Sequence, residues 1–398
     1  MDEQKKALVK GLVIGFAALL MVQCAAVGFL WVFRRLTKAE MTPASKIQEI
    51  VRLLDAHYVD TYDKALAIET MYAGLVYGVG DPYTVYLDED TLTRFLEQTA
   101  GEYAGIGISV TIDRKDNRIT VAAVFENSPG ARAGIRAGDK IVGVEGQEVW
   151  GDGYEEAIEM IKGKPGTRVN LTIYRESTER TFNIDVTREN ISIPTVSYKM
   201  LDNGIGYVRL SAFEGVTYRQ FMTAYESLSA QGLTGLIIDV RNNPGGLLHI
   251  VTSIADELVP EGVIVYTETK DGTRNYINSG ESHIGIPLAI LVNGASASAS
   301  EVLAGAVKDL GVGVLVGTQT FGKGVVQDLF RLPDGSAVKI TVSKYYTPGG
   351  VCIQGEGITP DYAVEMEDSL RLDFGEFPAE DDPQLRKAVE VLEQQIAY

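Results

Sequence analysis

The sequence predicts an α/β core joined to a β-rich module, with a small helical unit and a transmembrane helix ahead of them. Three observations carry that reading. Residues 11–33, "GLVIGFAALLMVQCAAVGFLWVF", hold no charge. Between Gly101 and Arg188, short stretches such as "GISVTI" and "VNLTIYR" alternate apolar and polar residues, the period of half-buried strands. After Pro194, apolar strands such as "LTGLIIDV" and "PLAILVN" alternate with helical stretches. That pattern implies a largely parallel sheet covered on both faces.

The first element is the apolar run. At about 1.5 Å per helical residue, a run of this length spans a hydrocarbon core of ~30 Å. A cleaved signal peptide would have a shorter apolar region, and Gln23 before Cys24 makes a poor lipidation site. Residues 1–35 therefore read as a tail and an uncleaved anchor. Lys5, Lys6 and Lys10 on one side balance Arg34, Arg35 and Lys38 on the other, so charge does not set the orientation. The 398 residues suit two or three domains. A net charge of −18 weighs against nucleic acid and against an anionic membrane surface as partners of the soluble part. Cys24 and Cys352 are the only cysteines, so neither a disulfide framework nor a zinc cluster is indicated.

Residues 36–100 form the helical unit. Ile47, Ile50, Val51 and Leu54 share one helical stripe after a Thr42-Pro43 start, and a second helix covers about Asp63 to Tyr77. A spacer or dimer surface is the favoured reading over a direct role in chemistry. Residues 101–188 are the β-rich module, with one helix at "GYEEAIEMIKG". Gly105-Ile106-Gly107-Ile108, followed by "SPGARAGIRAGDKIVGVEGQEV", resembles a PDZ domain. The resemblance implies a Gly-rich loop whose amides take a terminal carboxylate, and a groove for an apolar C-terminal residue.

Residues 189–398 are the α/β core. Within it, "NGASASASE" places Ser296, Ser298 and Ser300 between a strand and a helix. A strand end feeding a helix N-terminus exposes a side chain at a sharp bend beside unsatisfied amides, as a nucleophile needs. Ser298-x-x-Glu301 also matches a capping box, so Ser298 has a purely structural reading too. The base weighs on the choice. His57, His249 and His283 are the only histidines, and none sits in a suggestive setting. Lys323 lies between two glycines in "GTQTFGKGVVQD", and a desolvated lysine can act as a base. Strand alternation would put Lys323, Val325 and Gln327 on one face, with Gln327 steadying the amine. A Ser–Lys pair is a known variant of triad chemistry.

"GDPYTVYL", "GEYAGIG", "DVRNNPGGLL", "NGASASASEVLAGAVKD", "GTQTFGKGVVQ" and "YYTPGGVCIQGEGITPD" together resemble the C-terminal processing peptidases, over about residues 42–395. These are tail-specific serine proteases with an inserted PDZ domain, on a core resembling crotonase and Clp-type folds. The resemblance implies Ser298 as nucleophile, Lys323 as general base and Gln327 as its orienting partner. It also implies an oxyanion hole made by Ala299 and by Gly245 or Gly246 of "RNNPGG". No metal or nucleotide is required. Residue logic alone favours the middle serine without deciding it.

What the resemblance implies is a bacterial, single-pass membrane serine endopeptidase with its catalytic part outside the cytoplasm, acting on proteins with apolar C-termini. Its PDZ domain would be a tether or, preferably, a gate. A homodimer through the N-terminal helices and the C-terminal "DPQLRKAVEVLEQQI" stands level with simple packing of those helices. The alternatives are a membrane-tethered PDZ adaptor without catalysis, against which the complete Ser/Lys/Gln set speaks, and a hydratase-like enzyme, which would need no PDZ module.

Overall fold

A computed structural model of the protein describes residues 10–11, 15–16, 19–29, 41–366 and 382–397. The chain divides into two compact units, Met1–Ile68 and Glu69–Tyr398. Residues 12–14, 17–18 and 30–33 of the expected anchor, and its flanking Lys5, Lys6, Arg34, Arg35 and Lys38, lie outside the described residues. Among the described residues no helix is long and apolar enough to cross a membrane. In the first unit, helix α1 (Pro43–His57) starts where Thr42-Pro43 predicts. Thr42 Oγ1 accepts the Ser45 N–H at 3.2 Å, and Pro43 sits in the first turn, where no amide hydrogen is needed. No residue of α1 is buried. Helix α2 (Lys64–Tyr77) runs across the division between the units.

The second unit opens with strand β1 (Val85–Leu87) and helix α3 (Glu89–Ala100). Asp88 caps α3 by accepting the Thr91 N–H at 2.7 Å, and Gly101 ends it in the left-handed conformation. β1 pairs antiparallel with β18 (Ala337–Tyr346), where Val85 faces Lys339. Leu87, Leu92 and Ala337 share a small core. Part of the expected helical unit is thus built into the larger body.

The β-rich module contains β2 (Glu102–Gly105), β3 (Ile108–Asp113), β4 (Arg118–Val124), the short α4 (Pro129–Arg132) and β5 (Lys140–Val144). It continues with β6 (Gln147–Glu148), α5 (Tyr154–Ile161), β7 (Arg168–Arg175), β8 (Arg180–Thr187) and β9 (Glu189–Ser192). Its main sheet runs β3-β4-β5-β7-β8, with a separate β2-β9 pair. The alternating residues Ile119, Ile141, Leu171 and Ile173 are fully buried between the sheet and its helix.

The core follows as β10 (Val196–Met200), β11 (Ile205–Leu210), α6 (Thr217–Ser229), β12 (Gly235–Asp239), α7 (Leu248–Leu258), β13 (Gly262–Thr269) and β14 (Arg274–Ser279). Then come β15 (Leu288–Val292), α8 (Ala299–Asp309), β16 (Gly313–Gly317), β17 (Val325–Arg331), β18, β19 (Tyr362–Ala363) and α9 (Pro383–Ile396). The central sheet has the order β10-β11-β12-β15-β16-β19 and is parallel except for β10. Phe221, Ile254 and Leu303 of α6, α7 and α8 pack on one face. Leu385, Ala388 and Leu392 of α9 pack on the other, so the C-terminal helix buries its apolar stripe within the chain. A second sheet, β1-β18-β13-β14 with β17 on β18, was not expected. Its strands pair across as much as 250 residues of chain, roughly, and no local period reports that.

Candidate active site

The three serines of residues 296, 298 and 300 have different surroundings. Ser296 Oγ donates to the Val240 carbonyl at 2.7 Å and accepts the Asn293 N–H at 2.9 Å. Ser300 Oγ donates to the Asn243 carbonyl at 2.9 Å. Both are fully buried and staple the β15–α8 bend to the loop after β12. The Ser298 side chain instead lines an open cleft of about 360 Å³, and among the described residues its hydroxyl is tied to no loop carbonyl. Ser298 has φ 55° and ψ −113°, a left-handed conformation that costs a non-glycine residue roughly 1–3 kcal/mol. The bend therefore holds strain at the residue it presents to the cleft.

The capping partner anticipated for Ser298 does more than cap. Glu301 is fully buried. Its Oε2 accepts the backbone N–H groups of Ser298 and Lys323, each at 2.9 Å. Its Oε1 accepts the Thr320 hydroxyl at 2.6 Å and the Gly322 N–H at 2.8 Å. Four donors offset the cost of burying this carboxylate and lock the helix start to the loop carrying Lys323. Sequence reasoning missed this second role; the capping-box spacing was the only signal of it.

The glycines flanking Lys323 allow close backbone approach, as expected. A Cβ on Gly324 would lie 2.6 Å from the Gln354 nitrogen, and Gly322 has φ 89°. Lys323 precedes β17 rather than standing on it. Its Nζ lies 4.4 Å from the centre of the Tyr83 ring, from the "GDPYTVYL" segment. Burial pushes its amine below the ordinary lysine range, Lys339 pushes the same way, and Asp81 and Glu301 oppose. The Tyr345 phenol donates to the Lys323 carbonyl. Among the described residues the Lys323 amine makes no hydrogen bond to Ser298 or to Gln327.

The expected contact of Gln327 with Lys323 is thus not made here. Gln327 Nε2 lies 3.3 Å from Thr341 Oγ1. The physical reason is a register shift between Val326 and Gln327 in the β17–β18 pair. Strict alternation fails there, and Val325, Val326 and Gln327 all line the cleft.

The loop after β12 is pinned by charge. Arg241 bonds both oxygens of buried Asp239 at 2.6–3.0 Å, and also Asp382 at 2.8 Å and Gln384 at 2.9 Å. The Asn243 side chain accepts the Gly245 N–H at 2.8 Å and donates to the Leu210 carbonyl at 2.9 Å. The Gly246 N–H and the Ala299 N–H, at the first turn of α8, take no hydrogen bond among the described residues, and both residues line the cleft. Gly246, at φ 148°, runs beside Phe213 so closely that a Cβ would lie 2.2 Å from the Phe213 carbonyl oxygen.

Gly105, Ile106 and Ile108 line a second cavity of about 380 Å³ with apolar walls that include Phe125, Ile158 and Ile161. Gly107 takes φ 74° between them. The Tyr103 ring covers this loop, and burial pushes its phenol up to about 12, against hydrogen bonds from the Gly107 and Ile108 amides. Helix α3 separates the two cavities. Gln98 lines both, and Glu97 reaches Lys162 of the β-rich module at 3.0 Å. Nothing in the helical period of α3 marked it as the wall of two sites.

Residues 204–364 match Peptidase family S41, and residues 120–175 match a PDZ domain. The chain is 35% identical to the carboxy-terminal-processing protease of Bartonella bacilliformis over 329 residues, 81% of this chain and 75% of that one. It is 37% identical to the carboxyl-terminal-processing protease of Synechocystis over 331 residues, 82% of this chain and 76% of that one. Its fold is like that of a solved S41 protease from Bacteroides fragilis, at a TM-score of 0.53 and 17% identity, covering 85% of this chain and 93% of the other.

Proposed function

The chain belongs to peptidase family S41, and on that premise we propose which residues of this carboxyl-terminal-processing serine protease carry the reaction and how it is controlled. Ser298 is the nucleophile, Lys323 the general base, and the Gly246 and Ala299 amides the oxyanion hole. The observation that carries the reading is the contrast among the serines: two are consumed as buried staples, and the strained third lies in the cleft that holds a desolvated lysine. Gly246 is preferred to Gly245 because the Gly245 N–H is already bonded to Asn243.

In the reaction, the neutral Lys323 amine accepts the Ser298 hydroxyl proton as Oγ bonds to the substrate carbonyl carbon. The carbonyl oxygen takes the displaced electron pair and rests against the Gly246 amide of the loop after β12 and the Ala299 amide at the start of α8. The C–N bond then breaks, and Lys323 returns its proton to the leaving amine. Lys323 next deprotonates the water that hydrolyses the acyl-enzyme.

The resting arrangement favours a gate. Lys323 lies on Tyr83 and Gln327 on Thr341, so base, nucleophile and orienting amide are not yet joined. A protein C-terminus entering the Ile106 groove presses on α3, the wall it shares with the cleft. We assign Gln327 to the assembled state, where it holds the Lys323 amine. The run 11–33 is read as a membrane anchor with the bulk of the chain extracytoplasmic, supported by its length and lack of charge.

The test is to incubate the full chain with an unfolded protein ending in apolar residues and follow the products by mass spectrometry, with and without excess tail peptide. Wild type should cut, faster with peptide, and Ser298→Ala and Lys323→Ala should not. Cleavage by Ser298→Ala at the wild-type rate would remove the assignment.

A further inference from the structure

Two amines line the catalytic cleft. Lys339 stands on β18 opposite Val85, and its Nζ lies 5.2 Å from the centre of the Phe95 ring on α3. It is half-buried, and among the described residues no carboxylate lies within ion-pair distance of it. The plain account is that its methylene stem packs on Phe95 while the head reaches water. The neighbourhood of Lys323 gives it a further use. The groups facing Lys323 are Lys339 and Tyr345 from β18, Asp81 and Tyr83 from the segment before β1, and Glu301 and Ser298 from the start of α8. Glu214 lines the same cleft. Asp81 and Glu301 favour the protonated amine, and a protonated amine cannot take the Ser298 proton. Among the described residues, Lys339 is the cation set against them.

We propose that Lys339 is a positioning residue for the general base: its ammonium, held in the cleft without an acid partner, keeps the Lys323 amine neutral and able to accept a proton. The proposal rests on Lys323 being that base. Two like charges in one partly dry cleft cannot both be kept cheaply, and they titrate as a pair. The repulsion is mutual, and with Lys323 as the base the proton that leaves is its own, so the remaining charge stays on Lys339 beside Phe95. A lysine activated by a neighbouring cation is a known route to a basic amine near neutral pH.

The experiment is the pH profile of kcat/KM for the full chain, with excess tail peptide, in wild type, Lys339→Met and Lys339→Arg. Methionine keeps the contact with Phe95 and removes the charge. The expected result is an acidic limb displaced upward by about one pH unit, an activity loss of about tenfold on the limb that disappears on the alkaline plateau. Lys339→Arg should hold the limb near its wild-type position. A limb that does not move in Lys339→Met, whether the rate is unchanged or lowered equally at every pH, overturns the proposal. If Lys339→Met does not fold by circular dichroism, Lys339→Gln takes its place with the same two outcomes. Lys323→Ala, run in parallel, separates the two ideas: activity in that variant removes the base assignment itself, whereas an inactive Lys323→Ala with an unmoved Lys339→Met limb removes only the role of Lys339.

Discussion

Ser298 and Lys323 are joined through one atom: the backbone N–H of each donates to Glu301 Oε2, at 2.9 Å. The carboxylate sets the spacing of two segments that meet only in the fold. Glutamine at this position would turn an NH₂ toward two of the four donors. Glu301→Gln should lower stability by about 2–4 kcal/mol and reduce turnover even where the chain remains folded. Urea melts and kcat on the same preparation check both halves; wild-type kcat would mean that the spacing is held by something else.

The serines should separate by phenotype. Ser298→Ala should abolish cleavage and leave the melting temperature near wild type. Ser296→Ala and Ser300→Ala each remove a buried hydrogen bond to a carbonyl that keeps one backbone donor, and should cost about 0.5–1.5 kcal/mol while retaining chemistry in the folded fraction. Ser298→Gly should be more stable than Ser298→Ala, because φ 55° costs glycine nothing. Equal stabilities would argue against strain at this residue.

Gly246→Ala should be inactive. Its Cβ would meet the Phe213 carbonyl oxygen at 2.2 Å, forcing the loop away and carrying the free N–H off target. Removing one oxyanion donor typically costs about 10²–10³ in kcat. An active, folded Gly246→Ala would move the oxyanion assignment elsewhere.

Lys323 also has a stability signature. Its folded amine is held below the ordinary lysine range by burial, then by Lys339. Below the folded pKa the chain is charged in both states, and the full cost of burying the ammonium applies. Between the folded and unfolded values the unfolded chain binds the extra proton, so stability rises with pH. Lys323→Met should therefore be inactive yet more stable than wild type at neutral pH, with the gain shrinking as pH rises toward the ordinary lysine value of about 10.4 and levelling off above it. Chemical denaturation at the two pH values measures this, and a gain that grew with pH would contradict it.

The Glu97–Lys162 bridge spans from α3 to the PDZ module at 3.0 Å. Such a partly exposed pair is worth only about 0.2–1 kcal/mol, enough to tilt a balanced gate but not to unfold the domain. Glu97→Lys replaces attraction with repulsion. Basal cleavage should rise a few-fold and depend less on added tail peptide, with little change in melting temperature. Unchanged peptide dependence would count against α3 as the coupling element.

Much of this was open to reading from residues. The period-two stretches become the buried Ile119, Ile141 and Leu171, and the apolar strands with their crossover helices become the parallel sheet. Binary patterning reports which face is buried, and that is local information. The Ser298-x-x-Glu301 spacing marked a helix start, and the glycines around Lys323 marked close backbone approach.

What only the fold decided is which groups share a volume. Sequence placed three serines in one bend and could not say that two of them would be spent on the Val240 and Asn243 carbonyls. It offered Gly245 and Gly246 alike, and the Asn243 side chain separates them by occupying one N–H. It put Gln327 on the face of Lys323 by alternation, and a register shift opposite Thr341 redirects it. It gave no hint that α3, Tyr83 and Lys339 would enclose the cleft, because each arrives through β1 and β18, which pair across most of the chain. Helical and strand periods reveal burial within an element. Hydrogen-bond partners and the charges that set an amine's protonation come from distant segments, and those become neighbours only when the sheets close.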